Sequence, residues 1–116
     1  MSIISSESRN LNIRYDLPDG ILKKISEVYK EMEGWLGYGN GQVGEEGIPY
    51  WFSFNEEEKC INASVEPSSL QFSVFNMDEQ EWENWLKEIK NIATSILGFK
   101  VGEIENGEVG YDIEWM

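Results

Sequence analysis

Apolar residues alternate with polar ones in several stretches of the chain and recur at helical spacing in two others. Leu11, Ile13, Tyr15 and Leu17 alternate with Asn12, Arg14 and Asp16, the period of a strand with one buried face. Ile21, Leu22, Ile25, Val28, Tyr29 and Met32 then return every three or four positions, with Lys23, Lys24, Glu27, Lys30 and Glu31 between them. This spacing predicts one amphipathic helix, entered at Pro18 and stopped at Gly34. Three more alternating segments follow, around Ile48–Phe54, Ile61–Val65 and Leu70–Phe75. A charged turn from Asn55 to Lys59 and a turn at Glu66-Pro67-Ser68-Ser69 join them, which predicts an antiparallel meander with one wet face.

A second helix is marked by Trp82, Trp85, Leu86, Ile89, Ile92, Ala93, Ile96 and Leu97 on one stripe, with Asn76 as N-cap, Glu79 completing a capping box, and Gly98 as the stop. Asn106-Gly107 then signals a hairpin with Ile104 opposite Val109. Its second strand would bury Val109, Tyr111, Ile113 and Trp115 and leave Asp112 and Glu114 outside. The predicted order is strand, helix, three strands, helix, two strands. Each element has a single apolar side, so both helices are expected on one face of an antiparallel sheet of five to six strands, an α+β two-layer sandwich. Residues 1–116 form one domain on this reading, with residues 1–10 a loosely attached or disordered N-terminus.

Between Gly34 and Gly47 glycines recur without a period, around Trp35, Leu36 and Tyr38. The stretch is expected to be a long loop, either a plain connection or a contact for a partner. A phosphate cradle is disfavoured there, because no Gly-Lys-Ser/Thr follows and Glu45 and Glu46 would repel an anion.

Charge changes the picture more than any motif. The 116 residues carry a formal net charge of −13 and no His. Nine basic side chains in so acidic a chain cannot form a dominant phosphate-binding patch, which argues against nucleic acid and against anionic membrane surfaces. Without His there is no Ser-His-Asp or Cys-His catalysis, and with one Cys no structural zinc. No cofactor, no metal and no enzymatic activity are expected, although Asp112 and Glu114 could pair as carboxylates. Cys60 is the only cysteine, so a reducing cytoplasm is the expected setting; it is phased toward the outer face and is expected to be inert.

The candidate chemistry is therefore that of contact. Trp51 falls out of phase with Tyr50, Phe52 and Phe54, which places it on the open sheet face with Phe75, Gln71, Ser73, Asn62, Ser64 and Glu66. Exposed aromatics among small polar groups suit protein interfaces and sugar-stacking platforms. Glu56, Glu57 and Glu58, with Glu66, Asp112 and Glu114, would steer a basic partner, while Trp51, with Trp35 and Tyr38 from the loop, would anchor it.

In size, acidity, lack of His and an α+β plan with aromatic strands, the chain resembles the small acidic immunity proteins that bacteria pair with secreted polymorphic toxins. The resemblance is one of class and carries over no catalytic residue. It implies a cytoplasmic antitoxin, monomeric or weakly dimeric, that blocks a basic toxin or nuclease domain. The alternative is a small-ligand or carbohydrate-binding module using the same aromatic face.

Overall fold

The computed structural model describes residues 2–39 and 47–116. Residues 40–46, half of the expected glycine-rich loop, lie outside them. The elements are β1 (Ile3–Leu11), α1 (Asp19–Leu22), α2 (Ile25–Glu31), β2 (Trp35–Tyr38), β3 (Pro49–Trp51), β4 (Cys60–Glu66), β5 (Ser69–Asp78) and α3 (Glu79–Leu97). The five strands make one antiparallel sheet in the order β1-β5-β4-β3-β2, and the fold is an α+β sandwich. Strands β3 to β5 form the meander the alternation predicts, β2 extends it from within the stretch expected to be a loop, and β1 pairs with β5 along nearly its whole length.

Strand β1 corrects the expectation that residues 1–10 hang loose and that the first strand runs from Leu11 to Leu17. The pairing runs from Ile3 opposite Asp78 to Leu11 opposite Leu70. Arg9 pairs with Phe72 and Glu7 with Val74, so two charged residues occupy inward positions, and the apolar alternation that announces a strand is missing. Ile13 and Leu17 are buried without being in a strand, and Tyr15 is exposed.

The single helix expected over Ile21–Met32 is two short ones. The amides of Lys24 and Glu27 bond to the carbonyls three residues back, Ile21 and Lys24, and this tighter turn interrupts the α ladder at Lys23-Lys24. Helix α3 follows its stripe closely, burying Trp82, Trp85, Leu86, Ile89, Ala93 and Leu97. Its N-cap is Asp78 rather than Asn76: the Asp78 carboxylate accepts from the Glu81 amide at 3.2 Å. Gly98 stops the helix with φ of 83°, a left-handed conformation that glycine adopts without strain.

After α3 the chain packs Phe99, Val101 and Val109 into the core but forms no second pair of strands. The turn at Asn106-Gly107 exists in a different register. The Gly107 amide donates to Ile104 and the Glu108 amide to Glu103, so residue 103 lies across from 108, and Ile104 is two residues out of step with Val109. Tyr111 and Trp115, expected inside, are exposed; what remains of the strand is a bridge between Phe99 and Trp115. Buried Asn12 holds this segment to the end of β1, exchanging backbone bonds with Gly102 through its amide and side-chain oxygen and donating from Nδ2 to the Lys100 carbonyl. Among the described residues no helix is long and apolar enough to cross a membrane.

Candidate functional site

Trp51 is the chief correction to the sequence reading. It is wholly buried, on the inward face, not on the open one. Register settles the face: Trp51 pairs with Ile61 and Ile61 with Val74, and all three point into the core. The alternation misleads because β3 has only three residues. It ends where Phe52 turns to φ of 71°, so Phe52 and Phe54 never share a strand phase with Tyr50. Phe52 instead donates its amide to Gly34 and lays its ring on that glycine, where a Cβ would sit 2.7 Å from the ring. The Trp51 indole N–H bonds to the Tyr29 carbonyl at 3.1 Å, and its ring meets those of Tyr29, Trp35, Trp85 and Phe72 at 5.1–6.0 Å. Trp51 thus joins β3 to α2 and α3 and is not available to a partner.

The opposite phase decides what the open face carries. Tyr50 pairs with Asn62, Asn62 with Ser73, and Ser73 with Ser8; Phe75 pairs with Cys60 and with Ser6. Small polar side chains therefore floor the face, with Tyr50 and half-buried Phe75 among them. Phe54, 54 % exposed, lies with its ring 5.2 Å from that of Tyr50. Tyr50 and Phe54, expected inside, are the aromatics the sequence reading missed.

The charged turn is laid over this end of the face by specific bonds. Asn76, held at φ of 54°, donates from Nδ2 to the carbonyls of Glu56 and Glu58, and Asn62 donates to the Glu56 carboxylate at 2.8 Å. Inside the turn, Asn55 accepts from the Glu57 amide and the Ser53 hydroxyl donates to Glu58 at 2.7 Å. None of Glu56, Glu57 and Glu58 is ion-paired among the described residues, and all three are exposed. The neighbouring cation Lys59 is taken by Glu81 and by the face of the Phe52 ring. Cys60 has the outward register expected of it but is covered by the turn, its thiol donating to the Ser53 carbonyl. Burial, then the charges of Glu56 and Glu58, push its pKa up to about 11, so it stays a thiol at neutral pH.

The structure does not gather the other predicted residues here. Trp35 and Tyr38 belong to edge strand β2, not to a loop; Trp35 is half-buried on Trp51 and Tyr29, and Tyr38 is partly exposed beside them. Glu66 lies at the far end of β4, accepting from Ser64. Asp112 and Glu114 are exposed on the C-terminal segment rather than on a sheet strand.

A second polar constellation had no signal in the sequence. Glu103, 3 % exposed, accepts from Arg9 at 3.1 Å to each oxygen, from Lys90 at 2.5 Å and from Asn106 at 2.9 Å. Arg9 also donates to Glu83 and Glu7, and Glu7 accepts from the Trp82 indole. Lys90 and the Glu103 amide both reach Glu108 at 2.9 Å. Burial by itself would lower the Lys90 pKa, but its bonds to Glu103 and Glu108 outweigh that and raise it. For Glu108, burial works upward, and the Glu103 amide and Lys90 bring the net value below the usual carboxylate range. These partners lie up to 94 residues apart in the chain, so no spacing could reveal them.

No family model, curated protein or solved structure matches the chain.

Proposed function

We propose that the chain is a protein-binding module whose open sheet face grips a basic partner, acting by contact rather than by turnover. The supporting observation is the Tyr50–Phe54 pair standing next to three exposed carboxylates, none of them ion-paired among the described residues, in a turn fixed by Asn62 and Asn76. An amphipathic aromatic pair supplies contact area, and the carboxylates of Glu56, Glu57 and Glu58 steer a positive surface toward it. The likeness to immunity proteins makes a toxin or nuclease domain the favoured partner, and the cytoplasm, where Cys60 stays reduced, the place of action. Tyr50, Phe54 and Phe75 take over the anchoring role the sequence reading assigned to Trp51.

The test is capture from the native cell by the full chain, compared with Phe54→Ala and with the triple Glu56→Gln, Glu57→Gln, Glu58→Gln variant. A basic protein retained by the native sequence should be held about tenfold or more weakly by Phe54→Ala. The triple variant should slow its association and flatten the dependence on salt. A partner held equally well by both variants refutes the assignment. The second reading, a carbohydrate site, rests on the same pair with Asn62 and Ser73 beside it; binding that ignores salt and survives the triple variant would favour it.

A further inference from the structure

Four of the nine basic side chains of this acidic protein, Arg9, Lys87, Lys90 and Lys100, line one hollow of about 760 Å³ between α3 and the segment that follows it. That volume falls in the range of small-ligand sites, roughly 300–1,000 Å³. Three carboxylates, Glu83, Glu103 and Glu108, also line it, and each is engaged by Arg9 or Lys90. Lys87 and Lys100 have no ion pair or hydrogen bond from their ammonium groups among the described residues, and both are exposed. Arg9 also carries Glu7, so these charges balance, and Lys87 and Lys100 are the cations of the hollow with no carboxylate partner among the described residues. At physiological ionic strength the Debye length is about 8 Å, so a small ligand in the hollow responds chiefly to its nearest charges.

We propose that this hollow binds a phosphate-type oxyanion, free or as the phosphoryl group of a small ester, between Lys87 and Lys100. The two ammoniums come from different elements, α3 and the C-terminal segment, and the bonds of Glu103 to Arg9 and Lys90 hold those elements at a fixed separation. A phosphoryl group, with a charge of about −1.5 to −2 and three acceptor oxygens, carries charge and acceptors enough for two ammoniums, and lysine serves phosphate as a point charge. A monocarboxylate would leave one ammonium without counter-charge. The Asn91 amide on the same wall adds a neutral donor. This site is separate from the acidic sheet face and does not depend on the function proposed for that face.

The experiment titrates the full chain with inorganic phosphate and with glycerol phosphate, holding ionic strength constant with sodium chloride. It reads the thermal midpoint and the amide shifts of residues 86–91 and 100–108. Phosphate should raise the midpoint above the matched chloride value, since a ligand that binds only the folded state stabilises it, and should shift those amides. The Lys87→Gln, Lys100→Gln double variant should keep the native midpoint in chloride and bind phosphate about tenfold or more weakly. Lys23→Gln with Lys24→Gln, on the surface away from the hollow, should leave binding unchanged. Tenfold tighter binding of glycerol phosphate would assign an ester, and equal affinities free phosphate. No response beyond chloride from either probe, or a response that survives loss of Lys87 and Lys100, overturns the proposal.

Discussion

The protein joins its layers by different physics in two places. Under β3, five aromatic rings meet: Trp51 touches Tyr29, Trp35, Trp85 and Phe72, and the polar atoms are few. Beside β1, a buried carboxylate, a guanidinium and an ammonium meet, with Glu83, Glu7 and Glu108 around them. The ring cluster stabilises through apolar area and edge-to-face contacts, which are indifferent to pH in the physiological range. The charged corner gains Coulomb energy only after its groups have lost water, and that loss offsets much of the gain. Its contribution is directional. Bonds from residues 9, 90 and 106 converge on one carboxylate and fix where the C-terminal segment lies, as rings of similar shape would not. The cluster should therefore dominate stability, and the corner the placement of one segment and its response to acid.

The most damaging change should be Trp51→Ala. It empties a site with no solvent access and should lower unfolding free energy by about 3–5 kcal/mol, read as the midpoint of urea unfolding. Against a total of roughly 5–15 kcal/mol for a domain of this kind, that leaves a marginal fold. A midpoint close to the native value would mean that Trp51 is not the centre of the core. Glu103→Ala comes next. It leaves Arg9 and Lys90 without their shared carboxylate, but both retain some access to water, so the cost should be about 2–3 kcal/mol rather than the full value of a buried pair. The comparison breaks if Glu103→Ala proves costlier than Trp51→Ala.

The two regions were unequally legible in the sequence. The stripe of α3 announces its own buried face, because nineteen consecutive residues repeat one period. The pairing of β4 with β5 is visible for the same reason, in alternation sustained on both strands. Trp51 could not be placed, since three residues of β3 cannot outvote the spurious phase of Tyr50, Phe52 and Phe54. Strand β1 stayed hidden because Glu7 and Arg9 take inward positions that the pattern reserves for apolar residues, and their partners, Glu83 and Glu103, lie far along the chain. The acidic turn was legible as a charge run. That it folds onto Asn62 and Asn76, and so stands next to Tyr50 and Phe54, depended on a left-handed residue within β5 that no alternation encodes.

A milder substitution separates area from hydrogen bonding within the ring cluster. Trp51→Phe keeps most of the ring contacts and removes the indole N–H bond to the Tyr29 carbonyl, which also accepts from the Met32 amide. The cost should be about 1 kcal/mol, the usual net worth of such a bond. A loss as large as that of Trp51→Ala would place the energy in the bond instead of the rings.

The smallest effect is the response to acid, and it should belong to the corner alone. Glu108 has its pKa lowered in the fold, so its contribution is present above the ordinary carboxylate value of 4.5 and is lost as pH falls through the lower, folded value. Lys90 runs the other way: its raised pKa gives stability that is complete below 10.5 and lost as pH rises through the folded value. Burial raises the Tyr29 pKa in the ring cluster, which likewise removes stability only on the alkaline side, above 10.0. The alkaline limb is thus shared, whereas among these groups only Glu108 acts in acid. Because Glu108 is partly exposed, screening holds its share to under about 1 kcal/mol. Urea midpoints between pH 5 and pH 3 should fall less steeply for Glu108→Gln than for the native chain, and as steeply as native for Trp51→Phe. An acid limb unchanged by Glu108→Gln would show that the C-terminal segment is held by Glu103 without help from Glu108, and that the corner carries one ionic tie fewer than its geometry suggests.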